Sequence, residues 1–366
     1  MKVLALASYP VEAAATRYRL TQFVAPLRER GIELDVRPFL GSRLFASLYR
    51  RGQLPRTALG LAGSAFRRFA DVGRARGADV VLVQREAMMF GPPVVEWLTT
   101  RVGKRPMVLD LDDATYVSYT SPTYGRLGST LKWFSKTDDL IRWAKIVTCG
   151  NRYIAEYVSG KGAQARVIPT VVDTERFRPA PARDASGGPP VLGWIGTHST
   201  FQYLQAIFPA LRELARSHRF RLKVVGAGTR EIDLPGVEVE SLDWSMEREV
   251  ADFQSFDVGL YPIVADEWSL GKSGFKAIQY MAVGIPFVVS PVGTCAELGE
   301  EGRTHFAATS QEEWAAALGE LLADEGRRRQ MGEAGRLHAV EHYTVPIQAD
   351  KLAQALRDAA AMKTRP

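Results

Sequence analysis

Cysteine and histidine are scarce in this chain of 366 residues, which contains 2 Cys and 5 His. No Cys or His residues have the spacing of a metal site, and both cysteines, Cys149 and Cys295, lie in apolar segments. The sequence therefore argues against a structural zinc site and against a disulfide framework. We expect two buried thiols in a protein of a reducing compartment.

Long apolar runs are also missing. No stretch approaches the roughly 18 residues that a membrane-spanning helix needs. The first ten residues, MKVLALASYP, become polar too soon for a signal peptide and are interpreted as a first strand. We therefore predict a cytoplasmic protein.

Two common enzyme signatures are absent. No GxGxxG follows the first predicted strand, which argues against a nicotinamide or flavin domain. No GxSxG or Ser-His-Asp arrangement is present, which argues against a serine hydrolase.

The charge is unevenly distributed. Residues 1–180 contain 28 Lys and Arg against 16 Asp and Glu, whereas residues 181–366 contain 19 against 25. Much of the basic excess lies in 43–76, where apolar residues alternate with Arg50, Arg51, Arg56, Arg67 and Arg68. This segment is either an interfacial segment that contacts acidic lipid headgroups or a solvated basic face on helices whose apolar side packs on the domain. Nucleic acid is disfavoured because no aromatic stacking platform or known motif accompanies the charge.

Strand and helix patterns alternate along the whole chain, which favours parallel sheets with helices on both faces. The predicted strands are 2–8, 33–38, 80–84, 107–111, 146–149, 165–169, 191–195, 221–225, 237–241, 258–261 and 287–290. The predicted helices are 16–30, 94–101, 140–144, 152–160, 201–218, 246–253, 311–322, 326–342 and 347–363.

The chain is long enough for two domains. A segment rich in Pro, Gly, Ser and Ala, 177–190, lacks periodicity and is interpreted as a linker. We therefore predict one α/β domain over 1–180 and a second over 188–345, with a ligand cleft between the two as the default site.

The most informative run is 257–297. A predicted strand leads into a loop with Lys272, a helix with Lys276 follows, and a second strand begins after Pro286. Ligands of doubly wound sheets bind at the carboxyl edge of the strands, and helix N-termini there favour anions. The run thus predicts a phosphate site, although two solvated lysines are the simpler alternative.

Several motifs resemble those of one enzyme family. They are TRYR at 16–19, VLDLDDA at 108–114, VIPTVVD at 167–173, GWIG at 193–196 and, most specifically, GKSGFK at 271–276 followed by GIP at 284–286. The chain resembles the retaining, nucleotide-sugar-dependent glycosyltransferases of family 4 (group 1), and in particular a bacterial subgroup.

The resemblance implies the α/β GT-B fold of two facing Rossmann-like domains, with a C-terminal helix at about 346–366 packing back on the N-terminal domain. It also implies transfer of a sugar to a glycan or lipid-linked acceptor with retention. No metal and no cofactor are implied besides the nucleotide-sugar donor. The expected setting is polysaccharide and cell-envelope biosynthesis at the inner face of the cytoplasmic membrane.

The donor residues follow from the resemblance. Lys272 and Lys276 lie four residues apart on one helix face and would stabilise the leaving diphosphate. The remaining predicted donor residues belong to two loops and one helix: Gly196, Thr197, His198, Ser199, Glu267, Trp268, Ser273, Gly274 and Gln279.

The chain also departs from the family. The family has two glutamates eight residues apart, and the matching positions here are Gly271 and Gln279. Gln279 can still hydrogen-bond a ribose hydroxyl, whereas Gly271 cannot replace a carboxylate. Asp266 or Glu267 would have to substitute for it. The usual Arg and Lys after the Gly196 strand are absent, and Lys272 and Lys276 would replace their charge.

The N-terminal domain would supply the acceptor side. Asp110, Asp112 and Asp113 end a strand, and acids this close raise one another's pKa when buried. One of them would accept the hydroxyl proton or contact the sugar; capping of the next turn and binding of a divalent ion are the alternatives. Arg17, Arg19 and Glu86 are candidates for acceptor contact, the arginines because guanidinium matches phosphate.

Two other functions remain open. A glycine and a glutamine in place of the family glutamates are compatible with a non-catalytic sugar-nucleotide-binding or scaffold protein. The same fold also serves nucleotide-sugar epimerases.

Overall fold

A computed structural model describes residues 1–47, 54–118, 125–181, 188–228 and 232–362. The described chain divides into two compact units. The first contains Met1–Thr170, Gly271–Ser273 and Val345–Pro366, and the second contains Val171–Leu270 and Gly274–Thr344.

The first unit is built on a six-stranded sheet with the order β2-β1-β3-β4-β5-β6, in which every pair is parallel. Strands β1, β3, β4 and β5 are buried almost throughout, as expected for a parallel sheet covered on both faces. The strands are β1 Lys2–Ala7, β2 Glu33–Pro38, β3 Val80–Gln84, β4 Met107–Leu111, β5 Ile146–Cys149 and β6 Ala165–Val167.

The helices of the first unit, numbered along the chain, are α1 Ala14–Arg19, α2 Val24–Glu29, α3 Ser42–Ser47, α4 Leu54–Ala75, α5 Val94–Trp97, α6 Gly125–Lys132, α7 Lys136–Trp143, α8 Arg152–Gly160 and α16 Val345–Ala361. A 3₁₀ turn, Thr21–Phe23, separates α1 from α2, and a π-helical turn, Leu98–Val102, continues α5.

The second unit has a six-stranded parallel sheet with the order β12-β11-β10-β7-β8-β9. Its strands are β7 Val191–Ile195, β8 Arg221–Val225, β9 Glu238–Leu242, β10 Val258–Tyr261, β11 Phe287–Val289 and β12 Phe306–Ala307. Its helices are α9 Phe201–Ala206, α10 Phe208–Leu214, α11 Glu249–Gln254, α12 Glu267–Leu270, α13 Phe275–Ala282, α14 Gln311–Ala323 and α15 Glu325–His342. A 3₁₀ turn, Gly293–Ala296, lies between β11 and β12.

Helix α16 is part of the first unit, although it follows the whole of the second unit in sequence. It contacts α2 and strands β3, β4 and β5. Its buried residues are mainly alanine and leucine, among them Leu352 and Leu356. Two ion pairs connect α16 to the rest of the first unit: Arg30 to Asp350 at 2.6 Å and Arg166 to Asp358 at 2.5 Å.

The boundary between the units lies at Thr170 and Val171, before the predicted linker. Phe177, which the composition places in the linker, is buried in the second unit and packs edge-on against Phe253 with ring centroids 6.1 Å apart. Arg336 donates a hydrogen bond of 2.7 Å to the carbonyl of Phe177. Phe177 is therefore a packed residue of the second unit and not the start of a linker. Residues 182–187 lie outside the described chain.

Candidate functional site

The three aspartates at the end of β4 have different partners. Asp110 is 3% exposed and forms a buried ion pair with Arg19, whose Nε donates to Asp110 Oδ2 at 3.0 Å. The Thr148 hydroxyl donates to Asp110 Oδ1 at 2.6 Å. Arg19 also donates to the carbonyl of Ile168 at 2.6 Å. The two charges thus balance each other inside the first unit, and the Arg19 side chain is buried rather than exposed on the helix surface.

Asp112 and Asp113 share one cation, Arg85. Its Nε donates to Asp112 Oδ1 at 2.5 Å, and its Nη2 donates to Asp112 Oδ2 at 2.8 Å and to Asp113 Oδ2 at 2.7 Å. Arg85 follows β3 directly and has a φ of 61°, a left-handed conformation that side chains rarely adopt. The sequence interpretation did not include Arg85, although a basic residue directly after a buried strand was a usable signal.

The two carboxyls differ in pKa. Burial acts to raise the pKa of Asp112, but the charge of Arg85 outweighs it, so that the pKa of Asp112 lies below its usual value. Burial, together with the charge of Asp112, keeps the pKa of Asp113 above its usual value. The Asp113 side chain is also the more exposed, at 24% against 9% for Asp112. Asp113 is therefore the aspartate best suited to take up a proton.

Arg17 and Glu86 are largely buried. Arg17 Nη1 donates to the carbonyl of Glu12 at 3.3 Å, and its guanidinium lies 4.7 Å from the centroid of the Tyr18 ring. Glu86 is paired with two lysines, Lys132 at 2.5 Å and Lys136 at 2.6 Å. Its charge is thus balanced within the first unit.

The short segment Gly271–Ser273 belongs to the first unit. The amide of Asn151 donates to the carbonyl of Lys272 at 3.0 Å. A Cβ atom built on Gly271 would lie 2.4 Å from Cβ of Ala114, closer than real Cβ contacts come. A glutamate at this position would not fit without movement, which gives a steric reason for the glycine. The positive charge of Lys272 counteracts the rise in the pKa of Asp113.

In the second unit, the loop after β7 is exposed to solvent. Thr197, His198 and Ser199 are exposed, and the Thr197 hydroxyl lies 2.8 Å from that of Ser199. Helix α9, which follows, has only six residues. A Cβ atom on Gly226, which has a φ of 86° after β8, would lie 2.3 Å from the carbonyl oxygen of Gly196. Glycine is therefore required where these two loops meet at the carboxyl edge.

The acidic loop before α13 is partly structural. The carboxylate of Asp266 accepts a hydrogen bond of 2.6 Å from the backbone of Ser269 in α12. Glu267 is exposed and Trp268 is half-buried. Two acids were considered as substitutes for the missing glutamate. The carboxylate of Asp266 accepts the hydrogen bond from Ser269, and Glu267 is exposed on the surface.

Helix α13 begins at a left-handed glycine, Gly274, with a φ of 63°. The Lys276 ammonium donates to Gln279 Oε1 at 3.0 Å, and Gln279 Nε2 donates to Glu249 Oε1 at 3.4 Å. Lys276 also lies 5.4 Å from the centroid of the Phe253 ring. Gln279 and Glu249 are both buried. Sequence reasoning missed Glu249, and its place inside a predicted helix gave no signal.

A comparison with known families matches part of the chain. Residues 189–324, which belong to the second unit except for Gly271–Ser273, match the family model described as "Glycosyl transferases group 1". A curated relative, a D-inositol 3-phosphate glycosyltransferase of Nocardia farcinica (strain IFM 10152), is 27% identical over 216 residues. The match covers 52% of this chain and 46% of that relative, so the chain spans about half of its length.

Solved structures match nearly the whole chain. A glycosyltransferase from Rickettsia africae ESF-5 has a TM-score of 0.70 at 13% identity and covers 98% of both chains. A sucrose-phosphate synthase from Thermosynechococcus elongatus has a TM-score of 0.69 at 14% identity, over 98% of this chain and 99% of that one. Anabaena HepE in complex with UDP-glucose has a TM-score of 0.67 at 17% identity, over 98% and 100%. With the two six-stranded parallel sheets, these likenesses confirm the predicted GT-B fold.

Proposed function

We propose that this chain is a group 1 glycosyltransferase that transfers a sugar from a nucleotide-sugar donor to a glycan or lipid-linked acceptor, with retention and without a metal. The observation that carries the proposal is the segment with Lys272 and Lys276, which lies inside the region that matches the family. A departing nucleoside diphosphate needs fixed positive charge, and ammonium groups beside a helix N-terminus supply it.

Donor binding is assigned to the two lysines and the loops around them. Gly274 provides no side-chain cap for the first turn of α13, and the positive end of the helix dipole there would favour a phosphate. The hydroxyls of Thr197, Ser199 and Ser273, with His198, would contact the diphosphate. Gln279, Glu267 and Trp268 would contact the nucleoside or the sugar. Binding of UDP-glucose by HepE, which has the same fold, supports a nucleotide sugar as ligand.

The acceptor side is assigned to the first unit. Asp113 is proposed to accept the proton of the attacking hydroxyl, because its pKa is raised and its side chain is the more accessible. Asp112 and Arg85 would hold it in place. Arg17 would contact the acceptor, while Asp110, Arg19 and Glu86, whose charges are balanced by ion pairs inside the first unit, would support the strand ends.

We further propose that the first unit associates with acidic membranes through helix α4. No helix of the described chain is both long and apolar enough to cross a bilayer. Helix α4, however, exposes apolar residues: Leu59 is 74% exposed, Phe66 80% and Phe69 45%. Arg67 and Arg74 are exposed on the same helix. Apolar and basic residues on one surface are typical of interfacial helices.

A second candidate function is a non-catalytic nucleotide-sugar-binding protein. It is favoured by one observation, that Gly271 has no carboxylate and no room for one. The two candidates differ in turnover, because only an enzyme releases the nucleotide when donor and acceptor are both present.

The proposal is tested by nucleotide release from a panel of nucleotide sugars, with and without extracts of glycans and lipid-linked sugars. We expect one donor to give acceptor-dependent release and a product whose anomeric configuration, read by NMR, matches the donor. Tight donor binding without transfer or slow hydrolysis would favour the second candidate. Loss of activity on chelation, restored by a divalent ion, would contradict metal independence.

A further inference from the structure

A cationic groove lies at the amino edge of the first sheet. It has a volume of about 970 Å³ and is lined by residues of 100–105, 141–145 and 161–164, which precede β4, β5 and β6. Asp110, Asp112 and Asp113 lie at or beyond the other end of β4, a strand of five residues and therefore roughly 17 Å long. The groove is thus separate from the candidate acceptor residues.

The lining of the groove has one sign of charge. It contains six basic residues and no aspartate or glutamate: Arg101, Lys104, Arg105, Arg142, Lys145 and Lys161. Six like charges around one concavity repel each other, and a bound polyanion would relieve that repulsion.

These cations differ in whether other residues of the described chain pair with their side chains. Arg142 is paired with Asp139 at 2.6 Å and Lys161 with Asp138 at 2.7 Å, and Arg105 Nη2 donates to the carbonyl of Arg76 at 2.7 Å. Within the described chain, the side chains of Arg101 and Lys104 have no hydrogen bond and no ion pair, and both are exposed. These two cations are therefore available to an external anion.

The backbone beside the free cations is unusual. Lys104 has a φ of 52°, in the left-handed region that a residue with a side chain rarely adopts. Arg101 lies in the π-helical turn Leu98–Val102, and such turns are frequent at functional sites. Basic residues at helix C-termini are common because they offset the helix dipole, which accounts for Arg101, Arg142 and Lys161 but not for the strained Lys104.

We propose that this groove binds an anion that carries two or more phosphate groups. A single phosphate carries at most about two negative charges, fewer than the three cations, Arg101, Lys104 and Arg105, that no carboxylate of the described chain pairs with. Guanidinium and ammonium groups together suit a di- or polyphosphate. The volume falls within the range of small-molecule sites. The ligand is either a soluble phosphorylated molecule or the phosphate headgroups of a lipid surface, which present the same chemistry. This site does not depend on the proposed transferase activity.

The test measures binding of inorganic pyrophosphate by titration calorimetry and sedimentation with phosphatidylcholine vesicles with and without phosphatidic acid. The full-length chain carries Lys272→Ala throughout, so that diphosphate binding at the proposed donor site is weakened. The test variant adds Arg101→Gln and Lys104→Gln. The control adds Arg219→Gln and Arg329→Gln, two exposed arginines of the second unit, and changes the net charge equally.

We expect the test variant to bind pyrophosphate at least tenfold more weakly, while the control binds as the parent does. Loss of vesicle binding in the test variant alone would identify a lipid surface as the source of the phosphates, and unchanged vesicle binding would identify a soluble ligand. A parent that binds neither probe, or a test variant that binds both as the parent does, would overturn the proposal. The single variant Arg101→Glu is measured in parallel, and thermal unfolding of each variant shows whether it is folded. The single variant therefore replaces the double variant in the comparison if the double variant does not fold.

Discussion

At the residue scale, the neighbours of a carboxylate determine what it can do. Asp110 accepts hydrogen bonds from Arg19 and Thr148 and has almost no exposure. Asp113 shares Arg85 with Asp112 and retains accessible surface. Although the two are three residues apart, the first is suited to hold the structure together and the second to exchange a proton.

Substitution of the two aspartates is expected to separate these roles. Asp110→Asn leaves the Arg19 guanidinium buried without its partner charge, which costs about 3–5 kcal/mol. Chemical denaturation should therefore show a large loss of unfolding free energy. Asp113→Asn should change stability little but lower turnover by roughly 10²-fold or more, as loss of a general base does. A stable Asp110→Asn protein, or an Asp113→Asn protein with normal turnover, would contradict the assignment.

The lysine in the family motif gives a second prediction. Lys272→Ala is expected to lower turnover by two or more orders of magnitude, about 3 kcal/mol or more, because a fixed charge on the leaving diphosphate is lost. Lys351→Ala, at an exposed lysine of α16, is the matched control and should have normal kinetics. Near-normal turnover of Lys272→Ala in the nucleotide-release assay would remove Lys272 from the site.

At the element scale, helix α4 buries polar side chains and exposes apolar ones. Its inward face carries the buried polar residues Thr57, Ser64, Arg68 and Asp71, while Leu59 and Phe66 face solvent. Arg68 is 1% exposed and donates to the carbonyl of Ala7 at 2.8 Å and to Asp71 at 3.1 Å. The sequence interpretation that counted Arg68 among the surface cations was therefore wrong. Arg50 and Arg51 lie outside the described residues, as does the Arg56 side chain.

Membrane association through α4 is expected to depend on its exposed apolar residues. The double variant Leu59→Ser with Phe66→Ser should sediment less with vesicles that contain phosphatidylglycerol. Each large side chain removed from an apolar contact costs roughly 1.5–3 kcal/mol, so that the fraction bound should fall at least tenfold. Leu337→Ser, at a residue of the second unit that is 69% exposed, is the control. Equal binding of all three proteins would exclude α4 as the contact surface.

Strands were easier to predict than helices for a physical reason. Buried parallel strands are continuous apolar runs, which made β1, β3, β4, β5 and β7 the clearest to recognise. Within the described residues, only the two-residue β12 was missed. The predicted helix 201–218 is two helices, because Pro209 lies in the first turn of α10. Helix α4 was not predicted as one element, since its polar inward face resembles a surface segment.

At the scale of the whole molecule, local sequence could identify motifs but not their long-range partners. Asp112 and Lys272 were recognised from short patterns. The pairing of Asp112 with Arg85, 27 residues earlier, depends on two strands lying side by side. The hydrogen bond from Gln279 to Glu249, 30 residues earlier, depends on the fold of the second unit. Such contacts become visible only when the sheets are assembled.

The stability of the second unit is expected to depend on pH through His305. Burial, with a smaller contribution from the charge of His338, lowers the pKa of His305 to about 4 from its usual 6.5. The ring stacks on Phe287 at a centroid distance of 5.2 Å. The neutral form is favoured on folding, so its contribution is complete above pH 6.5 and is lost as the pH falls towards 4. The difference amounts to about 3 kcal/mol.

Denaturation at a series of pH values checks this expectation. His305→Phe should remove most of the slope of the unfolding free energy between pH 6.5 and 4, whereas His198→Gln, in the exposed loop after β7, should retain it. A slope that is the same in both variants would show that other groups control the acid sensitivity.

The placement of helix α16 in the first unit has a consequence for biosynthesis. The ribosome makes β1 to β6 first, then the whole of the second unit, and only then the helix that contacts β3, β4 and β5. While the second unit is being made, the nascent first unit keeps the apolar patch for Leu352 and Leu356 uncovered. All residues of the second unit, which ends at Thr344, are synthesised before α16. The first unit, although it begins the chain, therefore completes its core last and needs protection from aggregation until then.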